Sequence, residues 1–378
     1  MSLKIWMNDF TREPADRQQA LLADLKRVLH SGRYVLDWRV KCFEALWAGA
    51  CGTRFGIGVG NGMDAIEIAL RASGIVPGDE VIVPAITAFA TLLAVLRSGA
   101  TPVVADIEPG TALLDRESAR RVLSARTKAV VLVHLYGRLA DMDAWVAFCN
   151  HHGLILIEDA AQAHWASVQG RAAGSFGLAG AFSFYPTKNL GAIGDGGMVV
   201  TNDEAIAATA RQWRDYGRDS GRLGSPHLVP GLNSRLDELQ AAFLTTRLAW
   251  LQECNDTRRK IARAYQEGIR HPLVALPALP ADEASHVHHL FVVNSPVRDA
   301  LRICLEERGI QTALHYPLPV HRQPACGATV RIDPAGLARA EAHAQTCLSL
   351  PCHPFLTPEE VETVVEAIND FSGWEVRV

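Results

Sequence analysis

Leu154-Ile155-Leu156-Ile157-Glu158-Asp159-Ala160-Ala161-Gln162-Ala163-His164 decides the fold class. The apolar run reads as a buried strand, and two acids fall where its carboxyl end meets the next helix. Ligands of open α/β sheets bind in the crevice beyond the carboxyl ends of the strands. Asp159 is therefore either a helix N-cap or the partner of a protonated ring nitrogen, a charge-assisted bond contributing about 1.5–3 kcal/mol. Outward from this strand, seven apolar runs alternate with helical stretches, near residues 54–59, 80–83, 101–105, 128–134, 153–158, 179–184 and 197–201. Such alternation implies crossover connections and a mostly parallel sheet. Leu236 to Leu251 reads as a helix, 288–293 as a strand, 298–308 as a helix and 312–316 as a strand. Thr357-Pro358-Glu359-Glu360 opens the last helix with a capping box. At 378 residues the chain exceeds one typical core. The expectation is a large domain over 1–250, with an N-terminal helix and a seven-stranded sheet, and a smaller C-terminal α+β domain over 251–378.

About thirty residues downstream, Phe182-Ser183-Phe184-Tyr185-Pro186-Thr187-Lys188-Asn189-Leu190-Gly191 places one of only six lysines among apolar, small and hydroxyl residues. A lysine shielded from water loses its proton more easily and can attack a carbonyl to form an imine. The third piece is Gly56-Ile57-Gly58-Val59-Gly60-Asn61-Gly62-Met63-Asp64-Ala65, running from a strand into a helix. Small residues let backbone N–H groups approach an anion, and the helix N-terminus adds its positive end. Glycine at every second position is not G-x-G-x-x-G, so one phosphate fits better than a pyrophosphate, and a nicotinamide dehydrogenase is disfavoured. Ser183 can offer its hydroxyl to the same anion. Imine lysine, ring-nitrogen carboxylate and phosphate cradle together describe a pyridoxal phosphate site.

These stretches, with His134-Leu135-Tyr136-Gly137, Arg214-Asp215-Tyr216-Gly217, Gly231-Leu232-Asn233-Ser234-Arg235-Leu236-Asp237-Glu238 and His315-Tyr316-Pro317, occur in an order that resembles the DegT/DnrJ/EryC1/StrS aminotransferases. The resemblance covers nearly the whole chain. It implies the type I pyridoxal phosphate transferase fold and transfer of an amino group from an amino acid, glutamate in the first instance, to a nucleotide-linked 3- or 4-keto-deoxy sugar. It further implies that Lys188 links the cofactor and carries the proton, and that Asp159 holds the ring nitrogen protonated. Gln162 would bond the phenolic oxygen, while Gly62, Met63 and Ser183 bind the phosphate. Asn233 would reach the phosphate of a neighbouring subunit, making a homodimer, and Arg235 would grip the donor carboxylate bidentately. Ala88, Trp165, His315 and Tyr316 would border the sugar acceptor.

Three positions depart from the family pattern: Ala88 where an aromatic usually covers the ring (Phe89 follows it), Asp37 where glycine is usual, and Trp165 where small residues are common. A keto-cyclitol acceptor and a non-catalytic cofactor-binding regulator are the other readings. A net charge of −4 with interspersed signs gives no sign of nucleic-acid or membrane binding. The first residues show no signal-peptide apolar region and no run reaches the roughly 18 residues of a spanning helix, so the cytoplasm is expected. Eight cysteines without C-x-x-C pairs read as free thiols in a reducing compartment. No metal site is expected: His286, His288 and His289 cluster, but alternation puts two of them on an exposed strand face.

Overall fold

The computed structural model describes residues 4–219, 224–327 and 329–372. Its centre is an eight-stranded sheet. Strands β1 (Phe55–Val59), β2 (Glu80–Pro84), β3 (Thr101–Ala105), β4 (Thr127–Val133) and β5 (Ile155–Asp159) are followed by the two-residue hairpin β6 (Ser167–Val168) and β7 (Arg171–Ala172). Then come β8 (Ala179–Ser183), β9 (Gly197–Thr201), β10 (Phe291–Asn294), β11 (Arg331–Ile332) and β12 (Cys347–Leu350). The sheet order is β1-β9-β8-β5-β4-β2-β3-β11, and only β9 runs against its neighbours. All seven strands expected from the sequence are present, since runs such as Val81–Val83 and Val130–Leu132 are buried on both faces. The eighth, β11, pairs parallel with β3 and corrects the expected seven.

The helices are α1 (Ala15–Ser31), α2 (Trp38–Cys51), α3 (Gly62–Ala72), α4 (Phe89–Ser98), α5 (Arg116–Arg121), α6 (Met142–His152), α7 (Glu204–Arg214), α8 (Glu238–Leu248), α9 (Leu251–Gly268), α10 (Arg298–Glu307), α11 (Ala338–Thr346) and α12 (Pro358–Asn369). The capping box at Thr357 and Glu360 is formed. One buried cluster surrounds the large sheet, and a second joins α9, α10 and α12 to the antiparallel pair β10–β12. Residues 312–316 form a single bridge, Ala313 to Ser349, rather than a strand. The 1–250 and 251–378 division is crossed twice. Ile5 packs in the second cluster and pairs with Ile310, while β11 belongs to the large sheet. No helix among the described residues is long and apolar enough to cross a membrane.

Because β1, β5 and β8 run in the same sense, their carboxyl ends open on one edge. At that edge the first residue of β9, Gly197, lies between Val59 and Ser183. A Cβ there would collide with the Asn61 carbonyl, so glycine lets the start of α3 cross β9 and reach Ser183.

Candidate active site

Asn61 caps α3, its side-chain oxygen accepting from Asp64 N–H at 2.8 Å. Gly62 and Met63 follow as the first helical residues, whose N–H groups have no partner within the helix. A Cβ at Gly62 would stand 2.5 Å from the Ser183 Cβ. The helix N-terminus and the Ser183 hydroxyl thus share one small space, which suits a single phosphate group.

Asp159 ends β5 and is 5% exposed. Its Oδ2 accepts from the Thr91 hydroxyl at 2.8 Å and its Oδ1 from Ala161 N–H at 3.2 Å. Loss of solvation pushes its pKa up, against these two bonds and the nearby Lys188 and His134. Gln162, one turn on, is equally buried. Its Oε1 accepts from Tyr136 N–H at 2.6 Å, which leaves Nε2 as the donor, 3.1 Å from the Tyr316 hydroxyl. That orientation depends on Tyr136 standing at φ 61° and on Gly137 at φ 92°, where a Cβ would meet the Gln162 carbonyl.

Lys188 sits in the loop after β8, partly accessible to solvent. The loop is pinned on both sides of it: Lys188 N–H donates to the Tyr185 carbonyl, and Leu190 N–H to His164 Nδ1 at 3.1 Å. Asn189 Nδ2 donates to Asn255 and to the Val287 carbonyl. Desolvation lowers the Lys188 amine from 10.5 to about 8, with Asp159 pulling the other way. A neutral amine is the nucleophile, so modification of the apoprotein lysine by a carbonyl reagent plus borohydride is expected to accelerate up to about pH 8 and level off above it. A midpoint near 10.5, read by mass spectrometry of the modified peptide, would contradict the shielded environment.

His315 and Tyr316 face the same region. His315 Nδ1 lies 2.8 Å from the Ser349 hydroxyl, and burial together with Lys188 lowers its pKa to about 4. Burial raises the Tyr316 hydroxyl to about 12. Ala88 occupies the N-cap position of α4, and Phe89 begins that helix. Trp165, at φ 66°, packs against the main core with its buried indole N–H unpartnered among the described residues. Asn233 is exposed and bridges Asp215. Arg235 is paired with Asp215 at 3.2 Å and lies over the Tyr216 ring. Among the described residues, no hydrogen bond or ion pair joins Asn233 or Arg235 to Lys188, Asp159 or Gln162 of the same chain. The histidine cluster is corrected: His286 and His289 are buried, the strand begins only at Phe291, and His286 stacks on His288 at 3.8 Å. Main-chain bonds from Val287 to Gly137 and from Leu290 to Tyr136 draw this segment inward.

Two contributors escaped the sequence reading. Thr91 was hidden because its partner is 68 residues away. Tyr136 binds Gln162 through the main chain, which leaves no mark in residue type. The lysine, the buried carboxylate, the amide donor and the helix-end cradle suit pyridoxal phosphate, with one group for each of its aldehyde, ring nitrogen, phenolic oxygen and phosphate.

The model of the DegT/DnrJ/EryC1/StrS aminotransferase family matches residues 15–369. The chain is 45% identical over 358 residues to a dTDP-3-amino-3,4,6-trideoxy-alpha-D-glucose transaminase of Streptomyces venezuelae, covering 94% of this chain and 92% of the relative. It is 42% identical over 371 residues to a pleiotropic regulatory protein of Geobacillus stearothermophilus, covering 98% and 99%. The crystal structure of S. venezuelae DesV in complex with a ketimine intermediate superposes with a TM-score of 0.92 at 42% identity, covering 100% of this chain and 99% of that one. A family match over nearly the whole length, on a site fitted to pyridoxal phosphate, means that this chain belongs to the DegT/DnrJ/EryC1/StrS aminotransferase family.

Proposed function

We propose that the protein transfers an amino group from an amino acid, glutamate in the first instance, to a nucleotide-linked 3- or 4-keto-deoxy sugar in amino-sugar biosynthesis, as a cytoplasmic homodimer. The observation that carries the reading is a lysine amine depressed to about 8 within electrostatic reach of a buried carboxylate, at the sheet edge where α3 meets Ser183. The sugar class draws support from the Streptomyces venezuelae transaminase, named for a dTDP-linked amino sugar and 45% identical to this chain.

Bound pyridoxal phosphate supplies an aldehyde that takes up and hands on the amino group and a ring that spreads the charge of the deprotonated carbon. In this reading Lys188 Nζ would hold the cofactor at that aldehyde and, when free, would serve as the acid–base group that carries the proton between carbon centres. Asp159 keeps the ring nitrogen protonated, and Gln162 Nε2 donates to the phenolic oxygen. The Gly62 and Met63 N–H groups with the Ser183 hydroxyl hold the phosphate. His315 and Tyr316 border the acceptor, with Ala88 and Trp165 on its other sides. Asn233, exposed in the single chain, reaches the phosphate of the partner subunit. Arg235 takes the donor carboxylate, which requires it to share or leave Asp215. The dimer draws support from Tyr34, Val35, Trp38 and Ile193, large apolar side chains 46–52% exposed. They gather round the start of α8 through the Val35–Asp237 bridge and the Ile193–Gln240 hydrogen bond. All eight cysteines are free thiols, in keeping with a reducing compartment.

A cofactor-binding regulator is the second reading, suggested by the name of the Geobacillus stearothermophilus relative. One experiment separates the two. The visible absorbance of the protein with pyridoxal phosphate is expected to change on adding glutamate, and dTDP- or UDP-linked keto-sugars are expected to restore it. A band that no amino acid alters would overturn transfer in favour of the regulator. Restoration by a keto-cyclitol alone would replace the sugar acceptor, and absence of any band would overturn the cofactor.

A further inference from the structure

Thr91 stands on α4, away from the strand and loop that carry Asp159, and is 1% exposed. Its hydroxyl is 2.8 Å from Asp159 Oδ2 and 2.8 Å from the hydroxyl of Thr87, itself 2% exposed. An ionised carboxylate can only accept, and a threonine hydroxyl has one proton to give. With the Thr91 proton committed to Asp159, the second contact is made by Thr87 donating to Thr91. The two buried hydroxyls therefore point in one direction, toward one carboxylate oxygen, with Thr87 placed just before the Ala88 N-cap of α4 and Thr91 in the first turn of that helix.

We propose that Thr91, backed by Thr87, is a positioning residue that fixes the Asp159 carboxylate through Oδ2, leaving its remaining lone pairs for the ring nitrogen of the cofactor. The inference rests on the reading of Asp159 as the partner of that nitrogen. A rigid scaffold needs no such bond: α4 already packs on the core through Leu92 and Val95. What the hydroxyl adds is electrostatic. A carboxylate this deeply buried drifts toward its neutral form, and a neutral acid holds a pyridinium poorly. The other titratable groups that bear on Asp159 are Lys188, His134 and Tyr316. Among the described residues none of them makes a hydrogen bond to either carboxylate oxygen, and the groups that do are the Thr91 hydroxyl and the Ala161 N–H.

The test uses Thr91→Val, which keeps the shape and deletes the hydroxyl, with Thr91→Ser as rescue and Asp159→Asn as control. Three quantities are read on the full chain: the Kd of pyridoxal phosphate by titration, the pH midpoint of its visible band, and kcat against KM for the donor. Loss of one charge-assisted bond is expected to weaken cofactor binding about tenfold. The pH midpoint moves upward, because a less firmly protonated ring withdraws less charge from the lysine-linked nitrogen. The kcat falls while donor KM stays within twofold, and Thr91→Ser restores all three. If Thr91→Val leaves Kd and midpoint in place while Asp159→Asn moves both, the positioning role is overturned. If Asp159→Asn moves neither, the reading of Asp159 falls and takes this inference with it. Thr87→Val, one bond further out, is expected to shift the midpoint in the same direction by less; it decides the matter should Thr91→Val not fold.

Discussion

Alanine at position 188 is expected to lower amine transfer by about 10⁴-fold while leaving a folded protein that still binds pyridoxal phosphate non-covalently. A positioned acid–base group contributes about 10²–10⁴-fold, and in the proposed function Lys188 also links the cofactor, so the upper end applies. Folding is not at risk. The loop is held by main-chain and Asn189 contacts that do not involve the Lys188 side chain. The amine itself opposes folding, since its pKa falls from 10.5 to about 8 when the charge is taken out of water. With the folded pKa lower, the unfolded chain binds more protons between about pH 8 and 10.5, and wild-type apoprotein stability rises with pH across that window. Below pH 8 the full penalty is present, so Lys188→Ala apoprotein is expected to melt no lower than wild type at pH 7. Single-turnover assays and thermal scans check both halves. Residual turnover within tenfold of wild type would remove Lys188 from the chemistry.

The same stretches that disclosed the chemistry disclosed the large sheet, for one physical reason. Strands buried on both faces must be continuously apolar, and chemistry sits where such runs stop, so Ile155–Ile157 ending in Glu158-Asp159 reports a strand and a site together. Strand β11 gave no such signal. Arg331–Ile332 is two residues long at the sheet edge, and one of the two is an arginine bound to Glu80. The C-terminal pair β10–β12 was half legible for a related reason. Four-residue strands more than fifty positions apart pair through the main chain, and neither run alone tells which partner it takes.

Glu158 shows how far residue type can mislead about role. It stands next to Asp159 at the end of the same strand, yet it is fully buried and spent on structure. It accepts from the N–H groups of Gly174, Phe176 and Gly177 and lies 2.9 Å from His134 Nε2. Those bonds hold the connection between β7 and β8 and occupy the carboxylate's lone pairs. Partnership of that sort is set by the fold, as is the pairing of Arg235 with Asp215, twenty residues apart. Sequence singled out the candidate ligand-binding groups by their chemistry. It could not name those that orient them, because hydroxyls and main-chain N–H groups are common everywhere and gain meaning only from what the fold brings beside them.

Gly62→Ala is expected to weaken pyridoxal phosphate binding about a hundredfold with a stable fold. The added methyl would lie 2.5 Å from the Ser183 Cβ and 3.0 Å from its Cα, closer than real side chains approach, and both neighbours belong to a strand that cannot yield. The start of α3 must therefore lift away from β8. Lifting separates the helix N–H groups from the Ser183 hydroxyl, so a phosphate can engage one side of the cradle but not both. Losing about two charge-assisted bonds corresponds to the stated effect, at about 1.5 kcal/mol each. The overpacking itself costs about 1–3 kcal/mol, which a domain of this size tolerates as a lower melting temperature. Ser183→Ala, which deletes one donor and moves nothing, is expected to cost only about tenfold. Inorganic phosphate adds a discriminating readout: it is expected to compete with the cofactor in wild type and to lose that competition in Gly62→Ala. Equal competition in both proteins would place the phosphate elsewhere and leave the contact between Gly62 and Ser183 as packing alone.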